Sequence, residues 1–488
     1  MNQPSLGTLF PQMVPDAAHA LPVSGLSADS RKVVPGGVFV AVPGTSADGR
    51  LFAARAAEAG AIAVAGEGER PSDLPEGVLW IVVPDARRAL ALAAARFSGR
   101  QPETVVAVTG TSGKSSVADF VRQILAHLGR EAASLGTVGI VTNRGAAYGS
   151  LTTPDPVTLH QTLARLAEEG ITDLAMEASS HGIDQRRLDG VELTAAAFTN
   201  LGRDHLDYHP TVEDYLDAKL RLFTTLLPKG RPVIVNADGA YAERVIGAAD
   251  AAGHVIRTTG RAGDHIRLVA ARTDGFAQSL TLAHDGAEYR VSLPLVGGFQ
   301  VENALVAAGL ALATPAGAAD PAGVFAALES LTGVPGRMER IGEARGGLCL
   351  VDYAHKPEAL EHVLTALRPF ASGRLVVVFG CGGNRDVGKR PIMGAIAARL
   401  ADTVIVTDDN PRNEEPASIR AAILAAAPGA EEIGDRAQAI REGVRSLKAG
   451  DVLVVAGKGH ETGQIVGDRV LPFSDHDTVR AAIAELNG

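Results

Sequence analysis

The stretch at residues 105–116, VVAVTGTSGKSS, decides how the middle of this 488-residue chain folds. Its first four residues are small or β-branched and apolar and predict a buried strand, and the pattern VADFVRQILAHLG that follows predicts a helix. A strand that enters a helix through a glycine-bracketed turn aims several backbone N–H groups at one point. Lys114 adds a positive charge there, and the Ser115 hydroxyl is placed to reach a magnesium ion. The stretch therefore predicts a site for nucleotide phosphates.

This turn departs from the usual P-loop pattern at one position. That pattern asks for a glycine where the chain has Val108. The turn identifies a phosphate site but leaves the reaction open.

Composition narrows the class of protein. The length predicts about three domains, and 46% hydrophobic residues suffice for a core in each. A net charge of −10 without a basic stripe argues against a nucleic-acid partner. The start of the chain has no signal-peptide pattern, and no apolar run approaches about 20 residues. We expect a cytoplasmic protein with no membrane partner, in which Cys349 and Cys381 are reduced thiols, a single disulfide being the alternative.

The order of strand and helix patterns predicts an α/β fold in three domains, with boundaries at 1–100, 101–336 and 337–488. In the second and third domains, apolar strands repeatedly end in polar residues, as in DLAMEASSH, AAAFTNLGRDHLD, PVIVNADG, LCLVDYAHKP, RLVVVFGCGGNRD, TVIVTDDNPR and DVLVVAGKGHE. Alternating strands and helices predict parallel sheets, a P-loop type in the centre and a Rossmann-like doubly wound sheet at the C-terminus. Ligands of such sheets bind at the carboxyl ends of the strands. Residues 264–295 alternate apolar and polar residues and predict an antiparallel excursion.

Two of these strand ends carry candidate metal ligands. Glu177 ends the strand DLAM and His205 follows the strand AAAFTN. Each alone could be an ordinary structural residue, a helix-start carboxylate or a hydrogen-bonded imidazole. Together, behind a phosphate loop, a carboxylate and an imidazole favour a site for a divalent cation.

Lys219 lies in an unusual place for a lysine. The segment PTVEDYLDAKLRLF begins with Thr211 and Asp214 at capping-box spacing and should form a helix. Lys219 falls within its apolar stripe, one turn from Tyr215 and from Phe223. A desolvated amine would be a nucleophile or a modifiable group. Spacing alone favours the other interpretation, a side chain that extends its amine into water.

The last domain contributes charged residues just beyond its strands. Arg385, Arg412 and Glu461 could bind a small zwitterion, the arginines its carboxylates and the glutamate its ammonium group. Arginines near turns are common on surfaces, so this set alone is a weak signal. Arg337, in GVPGRMER, could reach phosphates or brace a linker.

Taken in order, these motifs resemble the Mur ligases, the ATP-dependent amino-acid ligases that build the peptidoglycan stem peptide. TGTSGKSS resembles the phosphate loop of that family, which begins Thr-Gly-Thr and so explains Val108. MEASSHGIDQRR, TNLGRDHLDYH, EDYLDAKLRLF, GGFQVENAL, GVPGRME and VDYAHKP look like further family blocks, and the likeness covers essentially the whole chain. ADSRKVVPGGVFVA, TTPD, GCGGNRDVGKRP, DNPR and GKGHE are similar to the members that add the third residue of the peptide.

The resemblance implies domains that bind, in order, a UDP-sugar peptide, ATP and an amino acid. It implies that UDP-MurNAc-L-Ala-D-Glu contacts Ser30, Thr152, Thr153, Ser179, Gln185 and Arg187. It assigns the nucleotide to Gly110, Thr111, Ser112, Gly113, Lys114, Ser115, Ser116, Asn303, Arg337 and Asp352. It implies Mg²⁺ as cofactor, with Ser115, Glu177 and His205 as ligands, and a catalytic role for Lys114, Glu177, His205 and Lys219. Lys219 matches a carbamylated lysine of the family, which reverses the expectation from spacing.

For the amino acid, the resemblance implies meso-diaminopimelate rather than lysine. DNPR is similar to the signature of diaminopimelate-selecting members, and the implied contacts are Arg385, Asp409, Asn410, Pro411, Arg412, Gly457 and Glu461. An arginine that faces the second carboxylate of diaminopimelate is left unpaired when lysine binds.

The implied reaction joins diaminopimelate to the D-Glu residue through an acyl phosphate, a step of cell wall synthesis that supports cell shape and division. Two alternatives within the superfamily stay open, a lysine-adding ligase and a folylpolyglutamate synthase-like ligase. A nucleotide-switched regulator without a covalent product is the alternative from another class. We expect a monomer.

Overall fold

The structure is a computed structural model, and it describes residues 3–44, 47–147, 151–202, 204–205 and 208–487. These residues divide into two compact units. The first comprises residues 1–258 and 309–321, and the second comprises residues 259–308 and 322–488.

The first unit begins with a small parallel sheet in the order β1-β2-β3-β4. Its apolar strands are buried because helices cover them, as expected of a parallel sheet. One side packs around Leu6, Phe10 and Leu90, and the other packs around Phe39 and Leu74. The elements are α1 (Leu6–Leu9), β1 (Leu26–Ser27), β2 (Val38–Ala41), α2 (Ala53–Glu58), β3 (Ala63–Gly66), β4 (Leu79–Val82) and α3 (Ala86–Ser98).

The larger sheet of the first unit has the order β11-β10-β5-β9-β6-β7-β8. Strands β11, β10, β5, β9 and β6 run parallel, and β7 and β8 pair antiparallel at one edge, so the predicted parallel sheet is mixed. Its elements are β5 (Thr104–Thr109), α4 (Lys114–His127), β6 (Ala132–Gly136), β7 (Gly139–Thr142), β8 (Gly145–Ala147), α5 (Pro156–Glu168), β9 (Asp173–Glu177), α6 (Ser180–Asp184), β10 (Ala195–Phe198), α7 (Val212–Arg221), β11 (Pro232–Asn236) and α8 (Ala242–Ala251).

The second unit contains the predicted antiparallel excursion. Strands β13, β14 and β15 pair antiparallel in that order, with Leu280 opposite Val291 on the buried face. The elements of this part of the chain are β12 (Val255–Gly260), β13 (Ile266–Asp274), β14 (Ala277–His284), β15 (Ala287–Leu293), α9 (Gly298–Leu312), α10 (Pro315–Ala319) and α11 (Pro321–Ala327). Of these, β12, α9 and α11 each contain a unit boundary, and α10 belongs to the first unit.

The C-terminal sheet of the second unit has the order β16-β17-β21-β18-β19-β20. All its pairs are parallel except β16 with β17, and apolar cores lie on both faces, as in a doubly wound sheet. The elements are β16 (Glu339–Ala344), β17 (Gly347–Asp352), α12 (Pro357–Leu367), β18 (Leu375–Phe379), α13 (Lys389–Leu400), β19 (Thr403–Val406), α14 (Pro416–Leu424), β20 (Glu431–Glu432), α15 (Arg436–Arg445), β21 (Val452–Ala456), β22 (Gly463–Val466), β23 (Arg469–Pro472) and α16 (Asp475–Asn487).

Both cysteines are buried free thiols, which confirms the prediction of reduced cysteines over a single disulfide. Burial raises the pKa of Cys349 to about 12 and that of Cys381 to about 11. Among the described residues, no helix has the length and apolar character needed to cross a membrane.

Candidate active site

The phosphate loop connects the central strand β5 to helix α4. Gly110 has φ +150° and Gly113 has φ +86°, conformations that favour glycine. A Cβ atom on Gly110 would lie 1.9 Å from the Thr199 hydroxyl oxygen, so no larger residue fits. Because β5 lies between β9 and β10, the residues that follow all three strands meet at one edge of the sheet.

Residues after β10 hold the loop in shape. The backbone N–H of Thr111 donates to the Asn200 carbonyl over 2.9 Å, and that of Ser112 donates to the Asn200 side-chain oxygen over 3.0 Å. The Thr199 hydroxyl donates to the Ser112 carbonyl over 2.7 Å. Lys114 begins α4, and its amine donates to the carbonyls of Gly110 and Thr111 over 3.0 and 2.8 Å. These hydrogen bonds hold the loop in a curved conformation around the Lys114 amine. Ser116 is buried in the first turn of α4.

Glu177, the last residue of β9, lies next to the start of α4. Its side chain is buried and accepts from the Ser115 hydroxyl over 2.8 Å and from the backbone N–H of Thr137 over 2.7 Å. The approach is tight, because a Cβ atom on Gly136 would lie 2.0 Å from Glu177 Oε1. A carboxylate beside a hydroxyl is a hard oxygen donor set of the kind Mg²⁺ prefers, so these two residues fit the ion.

His205 lies in a group of aromatic rings. Its ring centroid is 5.0 Å from that of His181 and 6.0 Å from that of Tyr215. Its backbone has φ +54°, and its N–H donates to the Asp204 carboxylate over 2.9 Å. Among the described residues, none of the hydrogen bonds made by Glu177 involves His205. The structure therefore brings Ser115 and Glu177 together, and a metal-binding role for His205 stays a prediction.

Lys219 is fully buried, contrary to the expectation from spacing alone. The predicted capping box is present, with Thr211 as N-cap and Asp214 at the third position of α7. This start directs Lys219 inward, where its side chain is 1% exposed. Its Nζ atom donates to the Gly110 carbonyl over 2.8 Å and lies 4.2 Å from the centre of the Tyr215 ring. Burial, and then the nearby charge of Lys114, lower its pKa well below the usual value.

The residues assigned to the sugar peptide by resemblance form one hydrogen-bonded group around Thr153. Its hydroxyl donates to the Glu177 carbonyl over 3.1 Å and lies 3.0 Å from the Ser179 hydroxyl. The guanidinium of Arg187 donates to the Thr153 carbonyl and to the Gln185 side chain, each over 2.7 Å. Four of the six predicted residues are therefore directly connected to one another.

The remaining two, Thr152 and Ser30, take no part in those hydrogen bonds. The Thr152 hydroxyl is 3.0 Å from the hydroxyl of Thr137, which itself contacts Glu177. Ser30 is buried in a short turn at Ser30–Lys32 that is capped by Asp29. A cavity of about 240 Å³ lies beside this turn, with Ser27 and Lys32 in its lining.

In the second unit, the residues assigned to the nucleotide include two that are buried. Asn303, on α9, donates to the Gln300 side chain over 3.1 Å. Asp352 ends β17 and accepts from the backbone N–H groups of Met338 and Ala354, each over 2.7 Å, while burial raises its pKa. Arg337 lies with its guanidinium 5.2 Å from the centre of the Tyr353 ring.

The residues assigned to the amino acid gather at the carboxyl ends of β19 and β21. The side-chain amide of Asn410 donates to the Glu461 carboxylate over 3.0 Å, and its oxygen, Oδ1, accepts from the Lys458 amine over 2.9 Å. Asp409 lies 3.6 Å from the Lys458 amine and 3.0 Å from where a Cβ atom on Gly457 would be. Because Gly457 has φ +119°, glycine suits the position in conformation as well as in space.

Two arginines border the same place. Pro411 is buried, and Arg412 follows it with φ +53° and donates to the Gly383 carbonyl over 2.9 Å. Arg385 is exposed, and its Cγ atom is 4.0 Å from where a Cβ atom on Gly382 would be, with the Arg412 guanidinium 2.8 Å from the same point. Carboxylates and arginines are thus held close together, as a zwitterion requires.

Comparison with known proteins agrees with the order of these motifs. Residues 22–98 match the Mur ligase family catalytic domain, residues 108–311 match the Mur ligase middle domain, and residues 336–459 match the Mur ligase glutamate ligase domain. A protein of Agrobacterium fabrum is 56% identical over 486 residues, which are 99% of this chain and 98% of that one.

The chain belongs to the Mur ligase family.

The relatives carry one name. The protein of Agrobacterium fabrum is a UDP-N-acetylmuramoyl-L-alanyl-D-glutamate–2,6-diaminopimelate ligase, as is one of Mesorhizobium japonicum that is 59% identical over 96% of each chain. A solved structure of a ligase with this name superposes with a TM-score of 0.78 at 34% identity, over all of both chains. A folylpolyglutamate synthase of Mycobacterium tuberculosis, 18% identical over 76% of this chain and 92% of that one, shares the fold with a TM-score of 0.59.

Three residues that contact the predicted ones, one in the first unit and two in the second, were not predicted from the sequence. Thr137 contacts Glu177 from an edge strand, and only its nearness to the other strand ends in space reveals it. Tyr353 lies within VDYAHKP and Lys458 lies within GKGHE, two motifs on which the family resemblance rests through other residues. A lysine after a strand usually faces solvent, so sequence alone gave no reason to single out Lys458.

Proposed function

We propose that this Mur ligase is the ATP-dependent enzyme that adds meso-diaminopimelate to the D-Glu residue of UDP-MurNAc-L-Ala-D-Glu. The observation that carries this proposal is the arrangement at the end of β19. There Asn410 donates to the Glu461 carboxylate, while Arg412 is held by the Gly383 carbonyl. Both diaminopimelate and lysine offer an ammonium group to the Glu461 carboxylate, but only diaminopimelate has the second carboxylate with which an arginine pairs.

We assign the work to three domains, 1–100 for the UDP-sugar peptide, 101–336 for ATP and 337–488 for the amino acid. What supports these boundaries is that the first two family matches fall inside the first two domains, and that the third begins at residue 336.

The first step is phosphoryl transfer. A carboxylate oxygen of the D-Glu side chain attacks the γ-phosphorus of ATP, the bond to the bridging oxygen breaks, and ADP leaves. Lys114 and the backbone N–H groups of the loop at residues 110–116 stabilise the negative charge on the transferred group. Asn303, Arg337 and Asp352 position the nucleotide.

Ser115 and Glu177 hold Mg²⁺ in this proposal, with His205 as a further ligand. The ion, when bound, offsets the charge of the phosphates and polarises the transferred group. Lys219 carries a carboxyl group on Nζ, formed when its neutral amine adds to CO₂ and releases one proton. What supports this modification is that the amine is buried and its pKa lowered, which favours the unprotonated form that reacts with CO₂.

The second step forms the amide. The free amine of diaminopimelate attacks the carbonyl carbon of the acyl phosphate, phosphate leaves with the electron pair of the C–O bond, and the nitrogen loses its proton. Asp409, Asn410 and Glu461 bind the ammonium group that does not react. Arg385 and Arg412 bind the far carboxylate. Pro411 and Gly457 shape the backbone around these side chains. Water must be excluded while the acyl phosphate exists.

The sugar peptide contacts Ser30, Thr152, Thr153, Ser179, Gln185 and Arg187. Its use places the enzyme in peptidoglycan precursor synthesis. We further propose that the enzyme works in the cytoplasm as a monomer, which size-exclusion chromatography with light scattering tests.

A phosphate-release assay on UDP-MurNAc-L-Ala-D-Glu tests the function. Diaminopimelate, lysine and ornithine are supplied in turn with ATP and Mg²⁺, and the product is identified by mass spectrometry. Of the three amino acids, we expect only diaminopimelate to give substantial turnover. Equal turnover of lysine would refute the assigned substrate, and phosphate release independent of any amino acid would refute the ligase.

A further inference from the structure

Lys458 is a fully buried lysine in the second unit, and none of the roles assigned above uses it. Its side chain is 0% exposed. The chain turns it inward between two glycines, Gly457 with φ +119° and Gly459 with φ +52°. A Cβ atom on Gly459 would lie 2.7 Å from that of Tyr353, so the backbone passes too close to its neighbours for a larger residue.

The three hydrogens of the Lys458 amine face three residues assigned to the amino acid. Nζ donates to Asn410 Oδ1 over 2.9 Å and to Glu461 Oε2 over 3.1 Å, and it lies 3.6 Å from Asp409 Oδ1. Asn410 in turn donates to the same Glu461 oxygen over 3.0 Å. Without Lys458, none of these side chains would keep its present set of partners.

The charges around Lys458 do not cancel. Next to it, Arg436 and Asp475 form an ion pair that is 0% exposed on both sides, with 2.7 Å between Nε and Oδ1. Asp409 and Glu461 add two negative charges, and Lys458 adds one positive charge. Among the side chains that contact Lys458, one negative charge therefore remains, and it matches the single charge of an ammonium group; the Arg412 guanidinium lies beside Gly382 and Gly383 instead. Buried charges of one sign are costly without a partner.

We infer that Lys458 is a positioning residue that prepares the ammonium-binding end of the amino-acid site. It orients Asn410, Asp409 and Glu461 from behind and leaves them one unpaired negative charge. The inference rests on the proposed function for which diamino acid binds, because diaminopimelate, lysine and ornithine all keep a second ammonium group while the first amine reacts.

The test compares Lys458→Met and Lys458→Arg with the wild-type enzyme and with Lys448→Met, which removes an exposed lysine of the same unit. Met keeps the length of the side chain and removes its charge. We expect Lys458→Met to raise the KM for diaminopimelate about tenfold or more. The reason is that Asn410 and Glu461 lose their charge-assisted hydrogen bonds from the Lys458 amine and no longer hold the geometry that binds the ammonium group. The KM values for ATP and the sugar peptide should stay within about twofold. Lys458→Arg should be intermediate, and Lys448→Met unchanged.

A merely structural role predicts a different pattern. It would lower the unfolding midpoint and change all three KM values together, and that result, or an unchanged KM for diaminopimelate, would overturn the inference. If Lys458→Met does not fold, Lys458→Arg decides in the same way, since it keeps the charge. If the wild-type enzyme uses another amino acid, the proposed function fails, and the KM of that amino acid becomes the measured quantity.

Discussion

The side-chain amines of Lys114 and Lys219 donate hydrogen bonds to the same carbonyl oxygen, that of Gly110, over 3.0 and 2.8 Å. Two ammonium ions at such a distance from one atom would repel each other. Lys219 is the more buried of the two, and burial together with the charge of Lys114 lowers its pKa. Lys219 therefore loses its proton more readily than an exposed lysine does, as modification of its amine requires.

Replacing Lys219 by Met should stabilise the unmodified protein at neutral pH. The usual lysine pKa is near 10.5, and the folded value lies well below it, so the unfolded chain binds more protons between the two values. Stability of the wild-type protein in CO₂-free buffer thus rises with pH up to about 10.5. Lys219→Met lacks this dependence, and we expect it to unfold at a higher urea concentration than the wild-type protein at pH 7.

Urea unfolding at pH 7, 8.5 and 10 measures the difference. The gain should shrink as the pH rises, and Lys229→Met, at an exposed lysine, should show none. A gain that is constant across this range would show that the amine is not the cause.

The same substitution should abolish ligase activity. If Lys219 carries a carboxyl group, the ¹³C NMR spectrum of wild-type protein kept in ¹³C-bicarbonate should contain a carbamate resonance. The spectrum of Lys219→Met under the same conditions should not. Added bicarbonate should not restore the activity of Lys219→Ala. If Lys219→Ala turned over substrate at the wild-type rate, the proposed modification would have no role in the mechanism.

Gly136→Ala should displace Glu177, because its Cβ atom would come within 2.0 Å of the carboxylate. We expect kcat to fall more than about tenfold and the Mg²⁺ concentration for half-maximal rate to rise. Gly247→Ala is the matched control, since a Cβ atom there, on α8, meets nothing within 4 Å. Normal kinetics in Gly136→Ala would argue against Glu177 as a metal ligand.

Arg412→Lys should weaken the selection of diaminopimelate. Both residues pay the same backbone cost at φ +53°, so the comparison isolates the guanidinium. A lysine cannot bind a carboxylate through two parallel hydrogen bonds. We expect kcat/KM for diaminopimelate to fall about 100-fold, with a smaller loss for lysine as substrate. The exposed Arg399→Lys should change neither, and an equal loss for both substrates would contradict the assignment.

Asp475→Asn should destabilise the second unit strongly. It leaves the buried Arg436 guanidinium without its ion pair, and such losses typically cost about 3–5 kcal/mol. Asp477→Asn is the control, because its carboxylate is 79% exposed and its pair with Arg480 should contribute less than about 1 kcal/mol. Urea unfolding gives both values, and equal values for the two would be the contrary result.

Patterns that depend on local chemistry were predictable. Thr211 and Asp214 form the predicted capping box, and the alternation in residues 264–295 corresponds to β13, β14 and β15. The polar strand ends also cluster as expected, because parallel strands place their carboxyl ends at one edge. The antiparallel pairing of β7 and β8 was missed, since these strands are short and rich in glycine.

Features that depend on what lies opposite were not predictable. Spacing put Lys219 in an apolar stripe but could not reveal that the Gly110 carbonyl faces it. Lys458 was not predicted for the same reason, because two of its three partners, Asn410 and Asp409, lie some fifty residues earlier in the chain. Only tertiary structure decides whether a lysine in such a place reaches water.

The two inert thiols make this enzyme convenient to label. With pKa values of about 12 and 11 and no access to solvent, Cys349 and Cys381 will scarcely react with maleimides at neutral pH. A cysteine introduced at Leu51 or Val470, which are 73% and 68% exposed, can therefore carry a fluorophore in the otherwise wild-type chain. Substrate binding to each unit can then be followed optically without first removing the native cysteines.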